Sequence, residues 1–222
     1  MSMGEDVAVF LAPAPGIECD NPGVIELAAR VCAGARGEVA KAEALFLWVR
    51  DQIAYTMTAP FWELEHYLAS AVIARGKGYC VQKSALLVTL ARAAGIPARM
   101  CFADIDNLAI APHVVQMMGG HGFVWHSYAQ WLIDGQWRKA TPAFDAALCR
   151  EHGLPVVEFR PGQDLLLPAQ TLDGRPYIVY RADHGWRAGL PLAEIMAGWL
   201  AHYGPEGVAA FRRMIEEQKE AL

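Results

Sequence analysis

The chain has 222 residues, of which 54% are hydrophobic and 19% are charged, and its formal net charge is −5. This length suits one large domain with a buried core, and the composition excludes a disordered or collagen-like chain. The negative charge and the lack of a basic cluster argue against nucleic acid as a partner.

The N-terminal sequence and the hydropathy pattern predict neither a secretory signal nor a membrane-spanning segment. Residues 1–6 contain no basic region followed by an apolar stretch, and the chain has no run of about 18 apolar residues. The five cysteines are scattered and form no C-x-x-C pair. This pattern favours a reducing compartment over a disulfide framework. We therefore expect a cytoplasmic protein that binds neither a membrane nor nucleic acid.

The first part of the chain predicts mainly helices. Residues 7–17 predict a weak strand or an ordered arm. An Asn-Pro pair supplies an N-cap and a first-turn proline for a helix over residues 22–33. Helical spacing of apolar residues predicts a second helix from 38 to 55. Residues 56–77 predict an aromatic-rich loop, with one or two helical turns at 70–75.

The stretch 76–103 organises the rest of the chain. Two glycines lead to Cys80, and the apolar residues that follow have the spacing of a buried helix that ends at Gly95-Ile96-Pro97. Cys80 is therefore expected in the first helical turn, where free N–H groups and the macrodipole favour thiolate over thiol. The competing interpretation is a small buried cysteine that only fills space.

The second part of the chain predicts mainly strands, with two helices at its end. Asp134-Gly135 is a preferred hairpin turn and joins the predicted strands 123–133 and 136–140. The remaining predictions are a strand at 98–103, a mobile loop at 108–122, a partly helical segment at 147–157, an extended segment at 163–167, a turn at 173–174, a strand at 177–180, and helices at 192–203 and 206–220. A polar turn is also expected at Asp183-His184-Gly185.

A cysteine nucleophile needs a base within hydrogen-bond reach and a group that orients the base. His126 follows Cys80 and lies on the predicted hairpin. If Ile133 pairs with Gln136, both Thr141 and Asp145 share the face of His126 as diagonal neighbours. Asp145 qualifies only if the strand continues past a proline, which lacks a ladder N–H. The pairing leaves both candidates open.

Three sequence blocks in order resemble the catalytic core of the transglutaminase-like superfamily, a papain-related group with a Cys-His-Asp triad. The blocks are Gly78-Tyr79-Cys80, then Leu86-x-x-x-Leu90-x-Arg92-Ala-x-Gly95-Ile-Pro-Ala-Arg99, then His126-Ser-Tyr-x-x-Trp-Leu-x-Asp-Gly-x-Trp137. The resemblance covers roughly residues 38–145. It implies an α+β fold with the cysteine-bearing helix packed on an antiparallel sheet, Cys80 as nucleophile and His126 as general base.

For the whole chain, the resemblance implies a stand-alone protein of the bacterial type. Residues 1–222 would form a single domain with a core at about 38–145. Residues 1–37 would be an N-terminal helical extension, and residues 146–222 would add further strands and helices.

The chain departs from the family pattern at one position. The family commonly has Trp-x-x-x-Asp-Pro-Thr after the hairpin, and this chain has Thr141 in place of the aspartate. A hydroxyl can accept the imidazole N–H but supplies no negative charge. Three explanations are open: Asp145 orients His126 in place of the missing aspartate, Thr141 orients His126 alone, or the site has lost catalysis. We favour Asp145 at this point, because the hairpin parity allows it.

Side chains near Cys80 supply the remaining site predictions. The N–H of Cys80 is the expected oxyanion donor. Trp62, Tyr79 and Gln82 are the candidates for substrate contact. No cofactor or metal is expected, because the three histidines at 113, 121 and 126 have no acidic or cysteine partner at a usual zinc spacing.

These predictions favour a thiol enzyme that forms an acyl-enzyme at Cys80 and passes the acyl group to water or an amine. The substrate would be a peptide, a protein or a small acyl compound, with hydrolysis of an amide-type bond favoured. The main alternative is a catalytically impaired binding or scaffold module, which the threonine at 141 keeps open. A redox-sensing thiol, with Cys101 or Cys149 as resolving cysteine, is a further alternative. The oligomeric state cannot be inferred.

Overall fold

A computed structural model describes residues 7–220. The six residues before them, on which the prediction about a secretory signal rests, lie outside this part. The helices are α1 (Pro22–Val31), α2 (Gly37–Gln52), α3 (Ala69–Arg75), α4 (Cys80–Ala93), α5 (Pro112–Met118), α6 (Ala146–Glu151) and α7 (Leu192–Glu220). The strands are β1 (Ala54–Tyr55), β2 (Lys77–Gly78), β3 (Ala98–Asn107), β4 (Gly122–Ile133), β5 (Gln136–Ala140) and β6 (Ile178–Arg187).

The main sheet has four strands in the order β5-β4-β3-β6, and every neighbouring pair is antiparallel. β1 and β2 form a separate short parallel pair. Helices α1, α2 and α3 pack on α4, and α4 packs on β3 and β4. The prediction of an α+β fold, with a cysteine-bearing helix on an antiparallel sheet, is therefore confirmed.

Helix α4 lies at the centre of the core. The predicted apolar positions Ala85, Leu86, Val88 and Leu90 are fully buried. Polar residues of the helix are buried as well, and they are paired with backbone: Lys83 donates to the carbonyls of Arg50 and Ile53 at the end of α2. A helix enclosed on all sides has a fixed direction, so its first residue has a fixed position.

The β4–β5 hairpin has the predicted turn and register. Asp134 and Gly135 both have positive φ, 50° and 72°, as a type I′ turn requires. Ile133 pairs with Gln136 and Ala129 with Ala140. However, β5 ends at Ala140, so the strand does not continue to residue 145.

The C-terminal third of the chain both extends the sheet and adds a covering helix. β6 pairs with β3 on the side away from β4. The helical backbone of α7 is interrupted at Gly204, which has φ 74° and ψ 159° and precedes Pro205. The prediction of two helices at the end of the chain is therefore confirmed.

Three local predictions were wrong. Residues 112–118 of the predicted mobile loop form α5, which begins at a first-turn proline. The predicted polar turn at 183–185 lies inside β6, where two register shifts against β3 accommodate the irregular backbone. The predicted strand or arm near the N-terminus begins with a short 3-10 helix, Val7–Phe10.

None of the helices in the described part of the chain combines the length and the apolar character that a membrane crossing needs.

Candidate active site

Cys80 is the first residue of α4, as predicted. Tyr79 is the N-cap, with extended backbone, and its N–H donates to Oε1 of Gln82 at 3.4 Å. The amide nitrogen of Gln82 donates to the carbonyls of Pro60 (2.8 Å) and His66 (3.1 Å). Gln82 is fully buried and fastens the start of α4 to the preceding loop. Its amide group is engaged with the chain's own backbone, and Gln82 is not among the residues that line the cleft described below, so its role in substrate contact stays a prediction.

The sulfur of Cys80 lies against the backbone of β4 next to His126. The backbone N–H of Ser127, the residue after His126, is close enough to the Cys80 thiol to oppose the rise in its pKa. One turn further along α4, Ser84 Oγ donates to the carbonyl of Ser127 at 3.0 Å. These two contacts fix the start of α4 to β4 at the position of His126.

Cys80 and His126 both line one cleft, with a volume of about 470 Å³. Part of the wall comes from Tyr55 of β1, from Met57 and Phe61 in the segment that follows β1, and from Tyr79. The rest of the wall comes mainly from α5 and from both halves of α7, and includes Met117, Trp199, Tyr203, Phe211 and Met214. The cysteine and the histidine thus line the same cleft.

Burial sets the protonation states of both groups. It raises the pKa of the Cys80 thiol to about 11, although the N–H groups of Ser127, Val81 and Cys80 itself oppose the rise. Burial also lowers the pKa of His126 to about 4. Both directions argue against the expected thiolate near neutral pH, because desolvation opposes the effect of the helix N-terminus. At neutral pH the resting pair is a thiol and a neutral imidazole.

Buried polar atoms of His126, Tyr180 and Thr141 follow one another, since Tyr180 contacts His126 and Thr141 is next to Tyr180. Nε2 of His126, Oγ1 of Thr141 and the hydroxyl of Tyr180 are buried and have no hydrogen-bond partner among the described residues. The Tyr180 ring packs edge-on against the imidazole, with 6.2 Å between ring centroids. The Thr141 hydroxyl is near enough to oppose the rise in the pKa of Tyr180, which burial raises to about 12. Buried polar atoms without partners are uncommon, so this group suggests a specific role.

Asp145 is engaged elsewhere. It is the N-cap of α6, where Oδ1 accepts the N–H of Leu148 at 2.8 Å. Oδ2 accepts the N–H of Tyr55 at 2.9 Å. The premise for choosing Asp145 as the orienting group, a strand that continues past Pro142, was wrong. Its carboxylate instead joins α6 to β1.

Trp125, directly before His126, has a constrained backbone that other residues hold in place. Its φ is 58°, which is unusual for a bulky residue. Oδ1 of Asp104 accepts the N–H of Trp125 at 2.9 Å and the ring N–H of His184 at 2.7 Å. The His184 ring stacks on the indole at 4.6 Å with an interplanar angle of 5°. A side chain at Gly198 of α7 would collide with the same indole. Asp104, His184 and α7 together fix the strand just before the histidine.

The other two residues predicted for substrate contact differ in position. Tyr79 lines the cleft, and its hydroxyl donates to that of Tyr67 at 2.7 Å. Trp62 packs beside Phe61 and under Arg212, whose guanidinium lies 4.5 Å from the indole centroid. It is not among the residues that line the cleft.

Most of the residues that line the cleft were not predicted as site residues from the sequence. Trp199, Tyr203, Phe211 and Met214 recur at helical spacing and therefore gave a detectable amphipathic signal. What that face covers depends on tertiary packing, which the spacing does not encode. Tyr180 gave no signal of its own, since it is one apolar residue in a short predicted strand.

The histidines considered for zinc do not gather around one point. His121 Nδ1 is hydrogen-bonded to the carbonyl of Asn107 at 3.0 Å, and His126 lines the cleft. Among the described residues, no three histidine, cysteine or acidic side chains are placed to hold a metal ion.

The chain is similar to several solved structures, of which the first below supports the fold. A candidate cysteine protease from Cytophaga hutchinsonii has 17% sequence identity and a TM-score of 0.56, over 89% of this chain and 51% of that one. A candidate protease from Parabacteroides distasonis has 13% identity and a TM-score of 0.42, over 61% of this chain and 26% of that one. The periplasmic domain of TgpA from Pseudomonas aeruginosa has 20% identity and a TM-score of 0.42, over 60% and 45%. This chain spans about half the length of the first of these proteins.

No curated protein matches the chain. The family described as the transglutaminase-like superfamily matches residues 25–142, which is more than half of the chain and includes both Cys80 and His126. The sequence-based resemblance is thereby confirmed, and the chain belongs to the transglutaminase-like superfamily.

Proposed function

We propose that the protein is a thiol enzyme that forms an acyl-enzyme at Cys80 and hydrolyses an amide-type bond. The observation that carries this proposal is the shared cleft, into which the first residue of α4 and the histidine of β4 both open. The N–H groups of Cys80, Val81 and Ser127 that surround the sulfur support it further. Such N–H groups stabilise negative charge that develops at or next to sulfur during attack.

The protonation states define the first chemical step. Nε2 of His126 is buried, so the ring presents Nδ1 to the cleft. As Sγ of Cys80 attacks the carbonyl carbon, Nδ1 accepts the thiol proton and the carbonyl oxygen becomes an oxyanion that receives the N–H of Cys80. The tetrahedral intermediate then collapses, the bond to the leaving group breaks, and His126 returns the proton to that group.

The second half of the cycle releases the acyl group. His126 removes a proton from water, the water oxygen attacks the thioester carbon, the carbon–sulfur bond breaks, and His126 returns the proton to the leaving sulfur. The products are a carboxylic acid and the Cys80 thiol. Each of the two steps leaves His126 neutral, in agreement with its lowered pKa.

Thr141 and Tyr180 are the groups that we assign to orienting His126. In the family pattern the position of Thr141 is an aspartate. The hydroxyls of both residues are buried, Tyr180 packs against the imidazole, and Thr141 is next to Tyr180. A hydroxyl oxygen can accept the Nε2–H of the histidine. A neutral acceptor fixes the ring but stabilises an imidazolium less than a carboxylate does. We therefore expect a working enzyme that is slower than one with the full triad.

The second candidate function is a binding or scaffold module that has lost catalysis. The observations that favour it are the threonine at 141 and the high pKa of Cys80. The two candidates differ in one measurement, the rate at which 4-nitrophenyl acetate releases nitrophenol.

We expect the wild type to hydrolyse this ester and the Cys80→Ala and His126→Ala variants to lose at least about 100-fold in rate, the usual contribution of a nucleophile or general base. Equal rates for wild type and both variants would exclude the enzyme hypothesis and support the binding or scaffold module.

The cytoplasmic location stays a prediction. It is supported by the five cysteines, which are all unpaired in the structure.

A further inference from the structure

The cleft around Cys80 is lined without ionised side chains. Among the described residues that form its wall, none is an aspartate, glutamate, lysine or arginine, and His126 is held neutral by burial. A charged group placed here would lose its hydration and gain no partner of opposite charge. Burying an unpaired charge is strongly unfavourable.

Three polar side chains of the wall are hydrogen-bonded to the chain itself, and the uncharged amide of Gln116 also lines the cleft. Trp199 Nε1 donates to the carbonyl of Val124 at 3.1 Å. The Tyr203 hydroxyl donates to the carbonyl of Gly122 and accepts the N–H of Val124, both at 3.3 Å. The Tyr79 hydroxyl donates a hydrogen bond to the Tyr67 hydroxyl. These side chains therefore present their apolar surfaces to the cleft.

Methionine is unusually frequent in the wall. Met57, Met117, Met118 and Met214 all line the cleft, and they come from three separate parts of the chain. Methionine side chains are flexible and polarisable, so they adapt to apolar groups of different shape. The volume of about 470 Å³ lies within the usual range for a small-molecule site.

We propose that the substrate is an acyl donor whose acyl group is uncharged and apolar, either an aliphatic chain or an amino-acid residue with an apolar side chain. This inference rests on the proposed function and specifies its substrate class. The acyl group becomes bonded to sulfur in the first step and stays in the cleft until water releases it in the second, whereas the leaving group departs in the first. The space that surrounds the sulfur therefore selects the acyl group.

The first test compares esters of one leaving group, 4-nitrophenol, after subtraction of the uncatalysed rates. From acetyl to butanoyl to hexanoyl, kcat/KM should rise by about fourfold per methylene, which corresponds to about 0.8 kcal/mol. The glutaryl ester, with a terminal carboxylate, should be at least about 100-fold slower than the hexanoyl ester. The N-acetyl-norleucine and N-acetyl-glutamate esters extend the comparison to amino-acid acyl groups. If the hexanoyl ester reacts faster than the N-acetyl-norleucine ester, the natural acyl group is an aliphatic chain; if it reacts more slowly, the natural acyl group is an amino-acid residue.

Two neighbouring alanines of α7 supply a matched pair of variants. Ala210 lines the cleft and Ala209 does not, and both are exposed. Ala210→Leu should shift the preference toward shorter acyl chains by roughly tenfold in the hexanoyl-to-acetyl ratio. Ala209→Leu should leave that ratio unchanged. A ratio that is independent of chain length, a preference for glutaryl, or equal effects of the two variants would overturn the proposal.

A binding measurement separates this proposal from the proposed function. The Cys80→Ala variant cannot form an acyl-enzyme, and binding of N-phenylhexanamide can be followed through tryptophan fluorescence. Binding that tightens from the acetyl to the hexanoyl anilide, and that Ala210→Leu weakens, supports the apolar site even if no ester is hydrolysed. Hydrolysis without any dependence on the acyl chain supports the enzyme and excludes the apolar site.

Discussion

At the scale of single residues, burial decides the chemistry of Cys80. A cysteine in the first turn of a helix is expected to have a lowered pKa, yet burial raises the pKa of this thiol to about 11. We therefore predict that alkylation of Cys80 by iodoacetamide accelerates by about tenfold per pH unit from about pH 6 to about pH 10, because only the thiolate reacts.

The Cys80→Ala variant gives the background from the other cysteines in this experiment. A rate that levels off below pH 8 would contradict the account. It would show that Cys80 and His126 form an ion pair at rest.

A second prediction at this scale concerns Thr141. Thr141→Val removes the hydroxyl but keeps the side-chain shape, and we expect turnover to fall about five- to tenfold, the effect of one lost hydrogen bond. Thr141→Asp introduces the carboxylate of the family pattern. It should raise the pKa of His126 and move the acidic limb of the kcat/KM profile to higher pH, because a nearby negative charge stabilises the imidazolium.

Asp145→Ala is the control for these two variants. It removes the cap of α6 and should lower the free energy of unfolding by about 1 kcal/mol, with turnover per folded molecule unchanged. If Asp145→Ala reduces turnover and Thr141→Val does not, our choice of orienting residue is wrong.

At the scale of secondary-structure elements, α4 depends on a buried lysine. Burial lowers the pKa of Lys83 to about 7, although Asp145 and Asp51 oppose the shift. In the unfolded chain a lysine has a pKa of about 10.4. Between these values the unfolded chain binds a proton that the folded chain does not. The contribution of Lys83 to stability therefore increases as the pH rises through this window.

The test compares the free energy of unfolding of wild type and Lys83→Met by urea denaturation from about pH 7 to about pH 8.5. The carbonyls of Arg50 and Ile53 lose their donor in the variant at every pH, so that loss is a constant offset. We expect the free energy of unfolding of the wild type to increase relative to that of Lys83→Met as the pH rises. A difference that does not change with pH would show that Lys83 stays protonated in the folded protein.

Elements with local signals were predictable from the sequence, whereas elements that depend on distant partners were not. α4 has an apolar pattern and a Gly-Ile-Pro end, and the hairpin has an Asp-Gly turn, so both were placed correctly. β6 contains the polar sequence Asp-His-Gly, and only its pairing with β3 makes that sequence a strand.

At the scale of the whole molecule, the site is assembled from parts that are far apart in sequence. Cys80 and His126 could be named because a resemblance in three ordered blocks identified them. Tyr180 and His184 reach the site only because β6 joins β3 instead of the neighbouring hairpin. α7 closes the cleft from the other end of the chain. No local pattern predicts such contacts, since they follow from strand order and helix packing.

The central claim is that Cys80 attacks an acyl group with His126 as the base. The most direct measurement is to mix the enzyme with 4-nitrophenyl acetate, quench it with acid within the first turnover, and analyse its peptides by mass spectrometry. We predict an acetyl group on the peptide that contains Cys80, formed at least about 100-fold more slowly in His126→Ala. No adduct on Cys80, or equal rates in the two proteins, would contradict the account.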